Sequence, residues 1–319
     1  MSLISTDVAS STLGDASTTA DVDAAVMEMT KNGGVPDYIA KNFWRWVEIT
    51  GGGHTLRFLA APTCYAIGDE DAPFFCARGT PYGAQAIADY WDCILPSRVL
   101  LRHIQASSDP SIRYIDVKGA PYNIPLAKIE TPAATQAASD AANAKFASLG
   151  ANPGDGLSVG FKKSIVVGPN LDGSHVAIYG GIGGGYDPPW NVVQPYSTIH
   201  GSAYGDYSHG ITLVSRKCQL DGSDADLRFD VFGSTDPTIY GLVTDQSRFD
   251  PIFPNAGPDS RAEFSGGSAA PSGPRSPGGG FKPTGPTTHP AAQASGGLSM
   301  PAKIGIAAVI GAAAWYAIG

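Results

Sequence analysis

Two histidines and an aspartate lie within ten residues of one another in the segment QPYSTIHGSAYGDYSHG, residues 194–210. They are His200, Asp206 and His209, separated by small residues and tyrosines. Two imidazoles and a carboxylate can bind zinc and leave a coordination position for water. The same groups form an acid/base pair when the carboxylate fixes the tautomer of one imidazole. The segment therefore predicts one of these two chemistries, and the residue types leave both open.

Two further residues are candidates for stabilising an oxyanion beside this trio. Tyr204 lies between the two histidines, and Lys163, after Lys162, precedes an apolar run that is typical of a strand. The alternatives are a turn whose polar groups bind backbone amides, and a solvated lysine pair. We predict five catalytic residues, the first three of which are also the predicted zinc ligands: His200, Asp206, His209, Tyr204 and Lys163.

The glycine cluster of residues 180–185 does not predict nucleotide binding. It follows a strand-like run, but Asp187-Pro188-Pro189 prevents the helix whose N-terminus would hold a phosphate. We expect a loop here, with its glycines as hinges of a flap over the site.

The cysteines are expected to be reduced, buried thiols. Cys64, Cys76, Cys93 and Cys218 show neither CxxC spacing nor a histidine at zinc-finger spacing. Cys64 stands in a strand-like run rather than at a helix N-terminus, where its pKa would fall. A nucleophilic cysteine is therefore disfavoured.

The elements that must position these residues indicate an α+β domain with a mixed, mainly antiparallel sheet and flanking helices. Helices are expected to begin near Asp21, at Thr80-Pro81 and at Thr131-Pro132. The apolar face of the second continues to Leu95, and the third is expected to end at Gly150. Strands are expected at residues 55–61, 164–167, 175–179, 211–214, 227–232 and 239–243.

Charge is distributed unevenly along the 319 residues. Residues 1–264 carry 18 basic and all 29 acidic side chains, a net charge of −11, whereas the remainder carries +3. An acidic body repels phosphate backbones, and no basic patch is interleaved with aromatics. We expect no nucleic-acid partner.

Composition divides the chain into four segments. Residues 1–20 are polar and lack a basic region followed by an apolar core, which predicts a disordered leader rather than a secretory signal peptide. Residues 21–263 form the globular domain. Residues 264–300, with 15 Gly or Pro among the last 36, predict a flexible linker. The uncharged run that closes residues 301–319 predicts a transmembrane or membrane-inserting helix that contacts lipid.

Several short runs of the sequence can be compared with known families: YAIGD (65–69), YGAQAIAD (82–89), CILPS (93–97), FKKSIVV (161–167), HVAIYG (175–180), QP (194–195), and DYSHG (206–210) with His200 and Tyr204. They resemble a poorly characterised family of bacterial and phage-encoded proteins. The likeness spans residues 40–216 and has no established activity. Members of that family often read Gly-Trp-His after the VAIYG strand, where this chain has residues 180–182, Gly-Gly-Ile. The resemblance implies that His200, Asp206 and His209 form one unit, and that the chain belongs to phage or cell-envelope biology.

Two hypotheses of different classes follow. The first is a membrane-tethered hydrolase of the virion or cell envelope that acts on peptide or amide bonds of peptidoglycan, a cell-wall polymer. The second is a non-enzymatic virion or membrane-associated structural protein, whose aromatic segment 38–46 binds other virion or envelope proteins. Convergence of His200, Asp206 and His209 in an open cleft would favour the enzyme, whereas side chains that are splayed apart or fully buried would favour the structural protein.

Overall fold

A computed structural model describes residue 13 and residues 18–40, 44–70, 72–75, 79–108, 131–183 and 191–254, all within one compact unit. Its α-helices are α1 (Thr19–Lys31), α2 (Asp37–Ala40), α3 (Pro81–Tyr90), α4 (Arg98–Ala106), α5 (Pro132–Ser148) and α6 (Pro237–Tyr240). Its strands are β1 (Arg45–Gly51), β2 (His54–Ala60), β3 (Ala66–Ile67), β4 (Phe74–Phe75), β5 (Cys93–Ile94), β6 (Lys163–Ile165), β7 (Ile178–Gly183), β8 (Asn191–Ser197), β9 (His209–Gly210), β10 (Val214–Leu220) and β11 (Ser223–Asp226).

The helices begin at polar caps that the sequence shows. The Thr18 side chain accepts from the Asp21 amide and the Asp21 carboxylate bonds back to Thr18, which is a capping box. Thr80 and Thr131 cap α3 and α5, each with proline at the first helical turn. The three predicted helix starts are confirmed. Helix α4, which Ser97 caps, was not predicted.

Two main sheets account for most of the strand pairing. One has the order β1-β2-β10-β11, with β5 also paired to β10, and is antiparallel throughout. The other has the order β8-β7-β6-β9, where only β6 and β9 run parallel. The predicted α+β class with a mainly antiparallel sheet is thus confirmed for the described residues.

Several predicted elements are wrong. Residues 180–183 belong to β7 rather than to a loop, because they pair with β8. Residues 227–232, predicted as a strand, form a π-helix. The strand predicted at 239–243 is also wrong, since its first two residues belong to α6. Helix α3 ends at Tyr90 instead of continuing to Leu95, since Asp92 has a φ of 54° and residues 93–94 pair with β10.

Helix α1 covers the end of the second sheet where residues 209–211 lie. Its apolar face buries Val22, Val26 and Met29 in the main core, together with Ile165 of β6 and Ile211 after β9. Burial of a side chain of this size contributes roughly 1.5–3 kcal/mol. This packing brings the polar residues of α1 close to β9.

Several predictions concern residues outside the described ones: most of the leader, Cys76, residues 184–190 of the glycine loop, the linker 264–300 and the terminal helix 301–319. Within the described ranges, none of the helices combines the length and the apolar character that crossing a membrane requires.

Candidate functional site

Asp206 is the centre of a turn that leads into β9. Its Oδ1 atom accepts hydrogen bonds from the backbone amide of Ser208, at 2.7 Å, and from the Ser208 hydroxyl. Its Oδ2 atom accepts from the Tyr204 hydroxyl at 3.1 Å and lies 3.4 Å from Lys163 Nζ. Four donors therefore surround one carboxylate, whose side chain is 5% exposed.

His209 begins β9 and lies beside this carboxylate. Its Nε2 atom is 3.8 Å from Asp206 Oδ2, which is longer than a hydrogen bond, and its side chain is 1% exposed. Among the described residues, neither ring nitrogen has a hydrogen-bond partner. Buried polar groups are nearly always satisfied, so this imidazole requires a specific explanation.

The aromatic rings of the segment pack on one another. The rings of His200 and Tyr204 stack with centroids 4.0 Å apart and planes 12° apart. The rings of Tyr204 and His209 meet edge to face, with centroids 5.6 Å apart and planes 66° apart. His200 and Tyr204 are partly exposed, so they form the outer layer over Asp206 and His209.

Lys163 begins β6 and Lys162 directly precedes it, and neither side chain is fully solvated. Parallel pairing places Lys163 opposite His209, and the Lys163 amide donates to the Ser208 carbonyl at 2.7 Å. The Lys163 side chain is 19% exposed and pairs with Asp206. Lys162 is completely buried, and its Nζ donates to the Tyr207 carbonyl at 2.7 Å. The alternative of a solvated lysine pair is therefore wrong.

The protonation states of the central pair follow from burial and charge. Burial alone would raise the pKa of Asp206, but His209, Lys163 and the bonds from Ser208 outweigh it and hold that pKa well below its usual range. Burial lowers the pKa of His209 to about 4, although Asp206 opposes this shift. At neutral pH the pair is an ionised carboxylate next to a neutral imidazole.

A further ionisable group, Asp23 of α1, lies near the pair. Asp23 and His209 line the same small cavity. Burial raises the pKa of Asp23 to about 6, although hydrogen bonds from the Thr80 hydroxyl and amide oppose the shift. Asp23 was not predicted from the sequence, because no short motif links α1 to β9. The one sequence feature that relates to Asp23 is glycine at positions 79 and 83, because a β-carbon at either position would meet the Asp23 carboxylate.

The arrangement brings together the predicted catalytic residues but gives little support for a metal. Asp206 contacts Tyr204 and Lys163 and lies near His209, while His200 joins the group through Tyr204. In the described part of the chain, no group of three or more His, Cys, Asp or Glu side chains is placed to hold a metal ion. Zinc bound by His200, Asp206 and His209 stays a prediction.

Comparison with known proteins does not assign the chain. No protein-family model matches it, and no curated protein or solved structure does either. The resemblance to bacterial and phage-encoded proteins therefore stays a prediction.

The same four-residue pattern occurs a second time, at the surface. Asp172-Gly-Ser-His175 repeats the Asp-x-Ser-His order of residues 206–209. Asp172 Oδ1 accepts from the Ser174 amide at 2.8 Å and from its hydroxyl at 2.6 Å, which is the turn that Asp206 makes. Here the histidine is 46% exposed and the aspartate 65% exposed. The sequence contained this repeat, and the structure supplies a solvated counterpart of the buried site.

The described cysteines are free and buried, as predicted: Cys64, Cys93 and Cys218. Burial raises the pKa of Cys64 to about 12, although the nearby Lys162 opposes the shift. A thiol with this pKa is protonated at neutral pH and is a poor nucleophile.

Proposed function

We propose that this protein hydrolyses an amide bond of a cell-envelope polymer, peptidoglycan peptide being the leading substrate, with Asp206 and His209 as its acid/base pair. The observation that carries the proposal is the His209 imidazole, which is 1% exposed and has no hydrogen-bond partner among the described residues. A buried polar group without a partner costs about 1–3 kcal/mol. Such a cost is expected where a group must be ready to take up a proton.

The proposed step uses His209 in its neutral form. The imidazole accepts a proton as a water oxygen bonds to the carbonyl carbon, and the C–N bond then breaks as the proton passes to the leaving amine. The ionised Asp206 stabilises the imidazolium that exists between these two transfers. Because the pKa of His209 is lowered to about 4, the base form persists well into acidic solution.

The other three predicted residues control access to the pair. Tyr204 and Lys163 both contact Asp206, so either one must release the carboxylate before it can stabilise an oxyanion. His200 lies on the outer face of the Tyr204 ring. A substrate therefore meets His200, Tyr204 and Lys163 first, and their displacement opens the route to His209.

The proposal includes location at a membrane of the virion or the cell envelope. The linker 264–300 and the apolar end 301–319 are the sequence features that support it. A tether raises the concentration of a catalytic domain near its polymer without any new contact.

The deciding experiment is digestion of purified peptidoglycan by the full-length chain, with and without added zinc and chelator. We expect release of amino groups by the wild type, loss of that release in His209→Gln and Asp206→Asn, and normal activity in His175→Gln. The last variant changes the histidine of the solvated repeat and is the matched control. Absence of digestion by wild-type protein under every metal condition would contradict the proposal.

The burial of Asp206 and His209 favours the second candidate, a non-enzymatic structural protein, because burial is the arrangement expected of that class. Asp206 and His209 are 5% and 1% exposed. The donors from Tyr204 and Ser208 hold the turn together, and Lys163 ties it to β6. On this proposal residues 200–210 are scaffolding, and the partner surface lies elsewhere, for example at segment 38–46. It predicts that Asp206→Asn lowers the melting temperature while no wild-type preparation digests cell wall.

A further inference from the structure

Helix α1, helix α3 and strand β9 surround a cavity of about 10 Å³ beside the candidate site. A volume of this size suits about one water molecule. Apolar side chains form most of the wall: Val22, Val26, Ile87 and Ile165. Asp23 and His209 are the ionisable side chains of its described lining.

His209 needs one donor and one acceptor that the described protein atoms do not supply. A neutral imidazole carries a proton on one nitrogen and a lone pair on the other. The carboxylate of Asp206, 3.8 Å from Nε2, favours the tautomer with the proton on that nitrogen. Nδ1 is then an acceptor, and it lies fully buried without a donor from the described residues.

Asp23, which lines the same cavity, can accept a further hydrogen bond. The Thr80 amide donates to Oδ1 at 2.9 Å, and the Thr80 hydroxyl donates to Oδ2. A carboxylate accepts about four hydrogen bonds, so these two donors leave it able to accept another. They also fix its position, because Thr80 caps α3 and its hydroxyl accepts from the Gly83 amide at 3.1 Å.

We propose that one ordered water molecule occupies this cavity and donates hydrogen bonds to Nδ1 of His209 and to the carboxylate of Asp23. The water satisfies the imidazole and joins α1 to β9. Asp23 is then a positioning residue that acts on His209 through the water and fixes its tautomer. Its importance for catalysis rests on the proposed function, whereas the water site itself does not.

The first test is nitrogen NMR of the His209 ring in the full-length protein at pH 7.5. In Asp23→Asn the ring resonances should shift toward a mixture of tautomers, since the anionic acceptor of the water is gone. Glu28→Gln, an exposed change on the same helix, should leave them at their wild-type positions. Identical His209 spectra in Asp23→Asn and wild type would overturn the proposal. Neither result depends on whether the protein digests peptidoglycan.

The second test predicts changes in melting temperature of opposite sign for a cavity that holds water and for one that is empty. Val22→Ile adds one methyl group to the wall. It should lower the melting temperature if it displaces a hydrogen-bonded water, and raise it if the cavity is dry. A crystal structure of the wild type at high resolution should show the water within hydrogen-bond distance of His209 and Asp23. An empty cavity with a stabilised Val22→Ile variant would overturn the proposal even if the variant in the first test failed to fold.

Discussion

The hydroxyl of Tyr204 donates a hydrogen bond to Asp206 Oδ2 at 3.1 Å, while the ring of the same tyrosine stacks on His200 at 4.0 Å. One side chain thus connects a partly exposed imidazole with a buried carboxylate. The polar group acts on Asp206 and the apolar ring acts on His200, so the two connections can be separated by mutation.

Tyr204→Phe should remove the first connection and keep the second. We expect the free energy of unfolding to fall by about 1–2 kcal/mol, because Asp206 is charged and loses one of four donors. The ring stacking on His200 should persist. Urea unfolding measures the loss, and Tyr207→Phe, whose hydroxyl is not among the donors to Asp206, is the control. Equal losses in both variants would show that the Tyr204 bond contributes little.

The two Asp-x-Ser-His turns permit a matched comparison of a buried and a solvated carboxylate. Asp206→Asn keeps an acceptor for Ser208 but removes the charge that pairs with Lys163. Breaking a buried ion pair by removing one partner costs about 3–5 kcal/mol. We expect a loss of stability near the lower end of this range, because Lys163 is partly solvated. Asp172→Asn should cost much less, since its side chain is exposed and solvent screens its charge. Thermal unfolding of the two variants side by side checks the difference, and equal costs would contradict it.

Local signals in the sequence predicted much of this architecture. Thr-Pro pairs placed α3 and α5, because a cap and a proline act on the residues next to them. The order of His200, Asp206 and His209 in one short segment likewise predicted a shared site, since a turn brings such neighbours together.

The errors arose where a local cap was not recognised or where a contact with another element decides the structure. Residues 227–232 look like a strand, but the Asp226 side chain accepts from the amides of Arg228 and Phe229 and begins a π-helix. Residues 180–183 look like a loop, but pairing with β8 makes them a strand with a bulge, where Gly180 has a φ of 106°. Asp23 could not be found because its environment depends on α1 packing against β9.

Stability should depend on pH in opposite ways at His209 and Asp23. The pKa of His209 is lowered to about 4, so the stability it contributes is present above about 6.5 and is lost as pH falls toward 4. The pKa of Asp23 is raised to about 6, so its contribution is present below about 4 and is lost as pH rises through 6. Titration of His209 changes the free energy of unfolding by at most about 3 kcal/mol. Titration of Asp23 changes it by at most about 1–2 kcal/mol, because Asp23 is partly exposed. Between pH 4 and 6.5 these effects oppose each other in the wild type.

Single variants should reveal each contribution. Asp23→Asn should lose stability more steeply than the wild type as pH falls from 6.5 to 4, and His209→Gln should gain stability over the same range relative to the wild type. Urea midpoints at half-unit pH intervals measure both slopes. Three parallel curves would show that neither group titrates as described.

The Asp23 carboxylate fits only because residue 83 has no side chain. A β-carbon at Gly83 would lie 2.1 Å from Asp23 Oδ1 and 2.2 Å from Cγ. Within a helix, glycine-to-alanine changes normally stabilise by about 1 kcal/mol, so the intrinsic preference would favour Gly83→Ala. We expect the opposite here, a loss of about 2 kcal/mol or more, because the carboxylate must leave Thr80.

A double-mutant cycle separates this clash from other effects of the alanine. In an Asp23→Ala background the carboxylate is absent, and Gly83→Ala should then be neutral or stabilising by the helical preference alone. The difference between the two backgrounds, measured by urea unfolding, is the coupling of residue 83 to Asp23. A coupling within experimental error of zero would mean that Asp23 does not occupy the position between α1 and α3. A large coupling, accompanied by a shift of the His209 ring resonances in Gly83→Ala, would connect the cap of α3 to the imidazole on β9.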